Sequence, residues 1–193
     1  MNKTIGFCLT GSFCTFSKAV PQVKKLVEAG YNVIVIMSFN AFENDTRFGK
    51  AEDFIEKLEE ITGNKVLHTL PQVEPIGPKK LLDLLVILPC SGNTLGKLAN
   101  GIYDTPVTLS AKSHLRNERP ILIGVSTNDA LSTSAKNIGT LLNYKHYYFI
   151  PMSQDDYVNK PFSIVAHFDD TLDAVKAALE ERQIQPIIKL RDI

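Results

Sequence analysis

The sequence lacks the features that mark membrane, secreted and nucleic-acid-binding proteins. Its 193 residues include 21 Lys and Arg and 21 Asp and Glu, so no net charge attracts the chain to nucleic acid or to an anionic membrane. No apolar run approaches the length that spans a bilayer, and the first residues, MNKTIGFCLTGSF, lack the basic and apolar regions of a secretory signal. We therefore expect a cytoplasmic protein in which any anion-binding site is local.

Cysteine is scarce, and two common nucleotide-binding signatures are missing. Cys8, Cys14 and Cys90 form no CxxC pair and have no nearby histidine at metal-ligand spacing. Such cysteines are typical of reduced thiols in a reducing compartment, so we predict neither a disulfide nor a bound metal. Because GxGxxG and GxxxxGK[ST] are both absent, a dinucleotide held in the usual way and an NTPase are disfavoured.

The sequence does contain a regular alternation of predicted strands and helices, without a linker or a repeat. Its hydrophobic content of 44% is enough for one well-filled domain, residues 1–193. Six strands are predicted, at residues 4–9, 31–37, 65–68, 84–88, 121–125 and 147–150, with helices between most of them. This pattern predicts a doubly wound, Rossmann-like α/β fold of three layers with a six-stranded, mainly parallel sheet.

The most informative stretch is residues 84–105, LLVILPCSGNTLGKLANGIYDT. Its apolar run predicts a strand buried on both faces and ended by Pro89, and the apolar spacing after it predicts an amphipathic helix. Ser91, Asn93 and Thr94 lie between the two, where free backbone N–H groups and the helix dipole can bind a phosphate or a carboxylate. The simpler interpretation is that one of these side chains only caps the helix.

Three other predicted strands end in similar small polar residues. These are Thr10-Gly11-Ser12, Ser38, and Ser126-Thr127-Asn128. In an open parallel sheet, ligands bind outside the carboxyl ends of the strands. Four polar loops at one edge therefore predict a pocket for a ligand the size of a mononucleotide.

Two of these loops resemble the motifs of a known family. Residues 10–14, TGSFC, resemble the TGSIA loop, and residues 89–94, PCSGNT, resemble the PASANT loop of the flavoprotein superfamily that includes the FMN-dependent cysteine decarboxylases. The resemblance implies a flavoprotein-type fold and an FMN site, with serines and a threonine near the phosphate. The FMN-binding residues that it implies are Gly11, Ser12, Ser38, Ser91, Asn93 and Thr94.

The resemblance to the decarboxylases ends where those enzymes recognise substrate. Their PxMNxxMW motif should follow the fifth strand, and residues 125–131, VSTNDAL, keep only its asparagine, Asn128. The whole chain is instead similar to the B subunits of dipicolinate synthases, for example in residues 74–79, EPIGPK, and 154–156, QDD. This likeness implies oxidation of dihydrodipicolinate to pyridine-2,6-dicarboxylate in the mother cell of a sporulating bacterium. It also implies a homo-oligomer and a partner, the A subunit of the same enzyme, that carries NADP.

Oxidation of a dihydropyridine dicarboxylate needs a proton acceptor and groups that bind two carboxylates. His68 lies roughly where the related decarboxylases place their catalytic histidine, and an imidazole suits proton transfer. A hydrogen-bonded structural role is its alternative. Lys79, in a Pro-rich segment at residues 69–80 that predicts an irregular loop, and Asn128 are the candidates for substrate binding. A decarboxylase of altered specificity and a non-catalytic assembly subunit stay open as other functions.

Overall fold

The apolar runs of the sequence pair into one central sheet. The structure is a computed structural model, and it describes residues 3–190. Within these residues the sheet has seven strands: β1 (Thr4–Leu9), β2 (Asn32–Met37), β3 (Leu84–Cys90), β4 (Ile121–Thr127), β5 (Tyr147–Phe149), β6 (Met152–Ser153) and β7 (Ile164–Ala166). Their order is β2-β1-β3-β4-β7-β6, and β5 pairs with the first half of β4.

Strands β1 to β5 run parallel, so their carboxyl ends share one edge of the sheet. The chain passes from β1 outward to β2 and then returns across β1 to β3, which makes the carboxyl ends of β1 and β3 the point where the strand order reverses. Ligands of open α/β sheets bind at such a point. Beyond β5, β4 continues and pairs antiparallel with β7 through Ser126 and Thr127.

Eight α-helices cover the two faces of the sheet within the described residues. They are α1 (Phe16–Glu28), α2 (Phe39–Glu43), α3 (Ala51–Thr62), α4 (Leu70–Val73), α5 (Gly92–Ala99), α6 (Pro106–Leu115), α7 (Ala135–Asn143) and α8 (Thr171–Leu179). Helices α1, α3 and α8 pack on one face, and α4 to α7 pack on the other. Alternate residues of β1 serve the two cores: Ile5, Phe7 and Leu9 point to the first, and Cys8 points to the second.

The predicted doubly wound, Rossmann-like fold is confirmed, with seven strands rather than six. Strands β6 and β7 have only two and three residues, too few to show an alternating pattern. The strand predicted at residues 65–68 is reduced to a bridge between Leu67 and Ile36. Pro89 does not end β3, which continues to Cys90 with a shift in its register against β4.

The prediction of an irregular loop at residues 69–80 is wrong for its first half. Residues 70–76 are helical, since α4 is followed by a 3-10 turn at Glu74–Ile76. Pro71 and Pro75 occupy first-turn positions, where a helix needs no N–H donor. Gln72 accepts hydrogen bonds from the backbone N–H groups of His68 and Thr69, which fixes the start of α4.

Neither a membrane-spanning helix nor a metal cluster is found between Lys3 and Leu190. No helix there is long and apolar enough to cross a bilayer. No group of three or more His, Cys, Asp or Glu side chains there is placed to hold a metal ion.

Candidate functional site

The loops after β1 and β3 are joined by the Thr10 side chain. Its hydroxyl donates to the Pro89 carbonyl at 2.7 Å and accepts from the Ser91 N–H at 3.0 Å. Thr10 is 1% exposed, so water does not compete for these two bonds. They fix the two loops that flank the point where the strand order reverses.

Three hydroxyls join the loop after β1 to the end of β4. Ser12 Oγ lies 2.9 Å from Ser126 Oγ, and Thr15 Oγ1 lies 3.3 Å from the same atom. Thr15 also donates to the Ser12 carbonyl at 2.8 Å. Three of the four polar loops predicted from the sequence are therefore held together by side-chain hydrogen bonds.

A cleft of about 820 Å³ opens between these loops. Its volume lies within the range of roughly 300–1,000 Å³ that is usual for sites that bind small molecules. Six residues of the predicted polar loops line it: Gly11, Ser12, Ser91, Ser126, Thr127 and Asn128.

Charged side chains that the sequence reasoning missed also line this cleft. Lys18, Arg47 and Lys160 are cationic, and Asp155 and Asp156 are anionic. They come from a helix and from loops without a recognisable motif. The weak signal for two of them was the QDD segment, which carried the likeness to the dipicolinate synthases.

Both aspartates of the cleft are ionised at neutral pH. Burial favours the neutral form of Asp155, but the neighbouring Ser163 hydroxyl, the backbone and Lys160 outweigh it and hold the pKa below the ordinary value. Hydrogen bonds from the backbone and side chain of Asn159 lower the pKa of Asp156. The Lys160 ammonium lies 3.5 Å from Asp155 Oδ2, so part of the cationic charge of the cleft is neutralised.

The polar residues at the start of α5 have different surroundings. Ser91 accepts from the Thr94 N–H at 3.4 Å, so the helix-capping interpretation holds for Ser91, although this residue also lines the cleft. Thr94 is buried beside it, with its hydroxyl 3.2 Å from Ser91 Oγ. Asn93 is exposed on the first turn of α5, and neither it nor Thr94 belongs to the cleft wall.

Asp129, which follows β4, and its two hydroxyl partners lie close to Gly92 at the start of α5. A methyl group at Gly92 would lie 2.6 Å from an Asp129 carboxylate oxygen and 2.8 Å from both the Ser134 and Thr127 hydroxyls. Those two hydroxyls donate to Asp129. The glycine that replaces the second alanine of the PASANT motif thus leaves room for a carboxylate, a role of Asp129 that the sequence did not reveal.

Ser38 and His68 lie at the same edge, on the side of β2. Ser38 donates its N–H to the Leu9 carbonyl at 3.0 Å, and its side chain caps α2. The His68 ring stacks on Phe42 of α2, with 3.6 Å between ring centroids and 3° between ring planes. Its Nδ1 is buried and has no hydrogen-bond partner within residues 3–190. Neither Ser38 nor His68 lines the cleft.

Lys79 lies at the opposite, amino-terminal edge of the sheet. The segment that carries it leads into β3, where the Asp83 N–H donates to the Thr4 carbonyl at the start of β1. Its side chain is exposed there, whereas Asn128 lines the cleft at the carboxyl edge. Within one chain, the two predicted substrate-binding residues are therefore not brought together.

Comparison with known proteins identifies the family of the chain. The sequence profile of the family described as Flavoprotein matches residues 1–183. The chain is 42% identical over 186 residues to the B subunit of dipicolinate synthase from Bacillus subtilis (strain 168), which covers 96% of this chain and 93% of that protein.

Solved structures give the same result. The crystal structure of the B subunit of dipicolinate synthase from Bacillus halodurans C matches with a TM-score of 0.91 and 40% identity over 100% of both chains. The FMN-dependent cysteine decarboxylase SpaF matches with a TM-score of 0.67 and 20% identity, over 93% of this chain and 96% of that one. At that identity the likeness to SpaF shows a shared fold alone.

Proposed function

Because the chain belongs to the flavoprotein family, we propose that it binds FMN in the cleft at the carboxyl edge and acts as the B subunit of a dipicolinate synthase. The observation that carries this proposal is the hydrogen-bonded junction of the loops after β1, β3 and β4 around a cleft of about 820 Å³. A pocket at the reversal of strand order, lined by residues with hydroxyl groups, suits a phosphorylated ligand.

The side chains of the cleft fit the phosphate of FMN. The hydroxyls of Ser12, Thr15 and Ser126 converge close to the start of α1, where the helix dipole favours an anion. Lys18 and Arg47 add positive charge to the same cleft. Gly11 and Ser91 complete the wall, and Ser38, Asn93 and Thr94 are proposed to contact the remainder of the cofactor from its margins.

The proposed reaction is the oxidation of dihydrodipicolinate to pyridine-2,6-dicarboxylate. Bound FMN would supply a hydride carrier between the substrate and the NADP of the partner, which is the final acceptor and leaves as NADPH. His68 is the proposed proton acceptor by its likeness to the histidine of the decarboxylases; its Nδ1 has no hydrogen-bond partner in the described chain. Because its ring stacks on Phe42 outside the cleft wall, this role requires the side chain to turn toward the cleft. Asn128 is proposed to bind a substrate carboxylate from the cleft wall.

Two parts of the proposed reaction depend on other chains: contact of Lys79 with the substrate, and binding of the dinucleotide. Because Lys79 lies at the amino edge, it contacts substrate only if a second copy of the chain places it beside a neighbour's cleft, which fits the proposed homo-oligomer. The chain has no GxGxxG fingerprint, and the relative in B. subtilis is by its name one subunit of an enzyme. We therefore assign NADP to a partner, the A subunit of the synthase, in the cytoplasm of the mother cell.

The test combines flavin binding with a reconstituted reaction. FMN fluorescence is titrated with the purified chain, with Ser12→Ala and, as a control, with Ser17→Ala, an exposed serine on α1. We expect Ser12→Ala to weaken FMN binding about tenfold, the effect of one lost hydrogen bond to a charged group, and Ser17→Ala to leave it unchanged. NADPH formation from dihydrodipicolinate is then followed with only the partner present, with the partner and this chain, and with both proteins plus FMN.

The outcomes separate the three functions. Full activity that requires both the chain and FMN supports the proposal, and full activity of the partner without this chain makes it a non-catalytic assembly subunit. The fold shared with SpaF keeps a decarboxylase of altered specificity as the second candidate. Release of carbon dioxide from a cysteine-containing substrate, without NADPH formation, would establish that function instead.

A further inference from the structure

The segment that joins α2 to α3 brings two side chains to the cleft at the carboxyl edge. Residues 45–50, DTRFGK, form a tight turn, called here the 45–50 turn. Arg47 and Phe48, at its tip, both line the cleft of about 820 Å³. Phe48 is 45% exposed, although it is a large apolar side chain. Because a ligand that covered this ring would remove apolar surface from water, the ring favours a ligand with an apolar or aromatic body.

Backbone contacts hold the tip of the 45–50 turn in place. Thr46 and Gly49 each donate an N–H to the carbonyl of the other, at 3.0 and 3.1 Å. The Phe48 N–H donates to the Thr46 hydroxyl at 3.2 Å. Gly49 has a φ of +140°, and a methyl group there would lie 2.8 Å from the Phe54 ring. None of these hydrogen bonds uses the side chain of Arg47 or Phe48, so both side chains are available to a ligand.

The charge of Arg47 is not neutralised by a carboxylate of the described chain. Among residues 3–190, no Asp or Glu forms an ion pair with its guanidinium. The guanidinium lies 4.9 Å from the centroid of the Phe48 ring, a cation–π contact that keeps the two side chains side by side. Lys160, in the same cleft, is instead paired with Asp155 at 3.5 Å. Arg47 therefore offers the cleft a cation that an anionic ligand can bind.

A guanidinium beside an exposed aromatic ring suits a ligand that carries both a phosphate and a flat ring. A guanidinium binds a phosphate through two parallel N–H···O bonds. A phenyl ring packs against another flat ring in an offset or edge-to-face arrangement. An anion without a ring would leave Phe48 exposed, and a ring without a phosphate would leave Arg47 unpaired. FMN has both groups, joined by a flexible ribityl chain.

We propose that the 45–50 turn selects the cofactor, with Phe48 packed against the isoalloxazine ring of FMN and Arg47 paired with its phosphate, an assignment that rests on the proposed function. The two contacts can be measured separately, because riboflavin has the same ring and lacks the phosphate.

FMN and riboflavin are therefore the two probes for Arg47. Each is titrated into the full chain, and the dissociation constant is obtained from flavin fluorescence. Arg47→Gln should weaken FMN binding about tenfold and change riboflavin binding by less than about twofold, since only FMN loses a charged hydrogen bond. Lys50→Gln is the matched control, because this exposed cation lies on the same turn but outside the cleft wall, and it should leave both affinities unchanged.

The same probes test Phe48. Phe48→Ala should weaken the binding of FMN and of riboflavin by a similar factor, about fivefold, because both ligands contain the ring. Phe48→Tyr keeps an aromatic ring and should bind both ligands as the wild type does. Tyr144→Ala is the control, since Tyr144 is also 45% exposed but precedes β5 at the amino edge, away from the cleft.

Failure of this assignment and failure of the proposed function give different results. Wild-type protein that binds no FMN would overturn both. FMN that binds the wild type, Arg47→Gln and Phe48→Ala with equal affinity would leave the FMN site standing and remove the 45–50 turn from it. Equal weakening of FMN and riboflavin in Arg47→Gln would also contradict the assignment, because the loss would then not depend on the phosphate.

Discussion

The two edges of the sheet use their polar side chains differently. At the amino edge, Arg119 donates to the backbone carbonyls of Lys80 and Leu82. Asp83 accepts from the Thr4 N–H at 2.8 Å. Because these side chains bond to backbone groups of neighbouring segments, they hold together the segments that lead into β1, β3 and β4.

At the carboxyl edge, the polar side chains mostly bond to one another around a cleft. Ser12, Thr15 and Ser126 use their three hydroxyl protons in contacts with one another and with the Ser12 carbonyl. A phosphate would therefore replace the contacts between hydroxyls, which it can do by rotation of the side chains without breaking the bonds that join the strands. The comparison teaches that polar residues at a strand end indicate a site when they bond to one another beside a cleft rather than to the backbone of neighbouring segments, which predicts separable effects of mutations at the two edges.

The largest expected effect on stability lies at the amino edge, at His114. Its Nε2 contacts the Pro120 carbonyl at 3.0 Å, and burial lowers its pKa to about 4. Because the pKa of this histidine is near 6.5 in the unfolded chain, folding favours the neutral imidazole. The stability that the neutral His114 gives to the folded state is fully present above pH 6.5 and is lost as the pH falls to about 4. The free energy of unfolding should change by about 3 kcal/mol over this range.

The measurement is the free energy of unfolding in urea as a function of pH for wild type and His114→Gln. Glutamine can keep a hydrogen bond but does not titrate. Between pH 7 and pH 4, we expect the variant to lose about 3 kcal/mol less stability than the wild type. Parallel pH profiles for the two proteins would show that His114 is not the buried titrating group.

At the carboxyl edge, Gly92→Ala should destabilise the protein by about 2 kcal/mol and abolish FMN binding, because the added methyl group overlaps Asp129 and its two hydroxyl partners. Urea unfolding and FMN fluorescence measure the two effects. Gly139→Ala is the matched control, since a methyl group at that helical glycine would meet nothing within 4 Å.

A double-mutant cycle with Asp129→Ala sharpens this prediction. If the methyl group and the carboxylate collide, the double variant should be more stable than the sum of the two single effects by about 1 kcal/mol. Additive effects would mean that Gly92 is required for another reason.

Arg119→Ala should cost about 1–2 kcal/mol, because the carbonyls of Lys80 and Leu82 lose a charged donor. Its effect on FMN affinity should stay within about twofold, since the residue lies at the far edge of the sheet. Arg182→Ala, which removes an exposed pair with Glu180, is the control and should change neither quantity. A large loss of FMN affinity in Arg119→Ala would remove the distinction between the edges.

The smallest effect on stability is expected at Asn93. This exposed residue on the first turn of α5 should tolerate alanine with a change below about 0.5 kcal/mol, while FMN uptake is lost. Asn100→Ala, at the other end of the same helix, should leave FMN uptake intact. Unchanged FMN affinity in Asn93→Ala would remove Asn93 from the proposed site.

The sequence predicts those parts of the site that lie in loops directly after parallel strands. Buried strands such as β3 have continuous apolar runs, and small polar residues after them are visible in the sequence. Because parallel strands share an edge, the pattern alone was enough to place Gly11, Ser12, Ser91 and Asn128 at one cleft.

The remainder depends on contacts between distant segments. Lys18, Arg47 and Lys160 lie in a helix or in loops whose position is set by tertiary packing, so no local pattern indicates the cleft. Lys79 lies away from the predicted group because its segment ends at the start of β3 rather than after a strand. The prolines at residues 71 and 75 suggested an irregular loop, although both occupy positions where a helix begins.

The central claim is that FMN binds where the loops after β1, β3 and β4 meet, and a crystal structure of the chain grown with FMN tests it most directly. We predict that the phosphate lies within about 3 Å of the Ser12 and Ser126 hydroxyls. Flavin bound elsewhere on the chain, with these hydroxyls still bonded only to each other, would contradict the account.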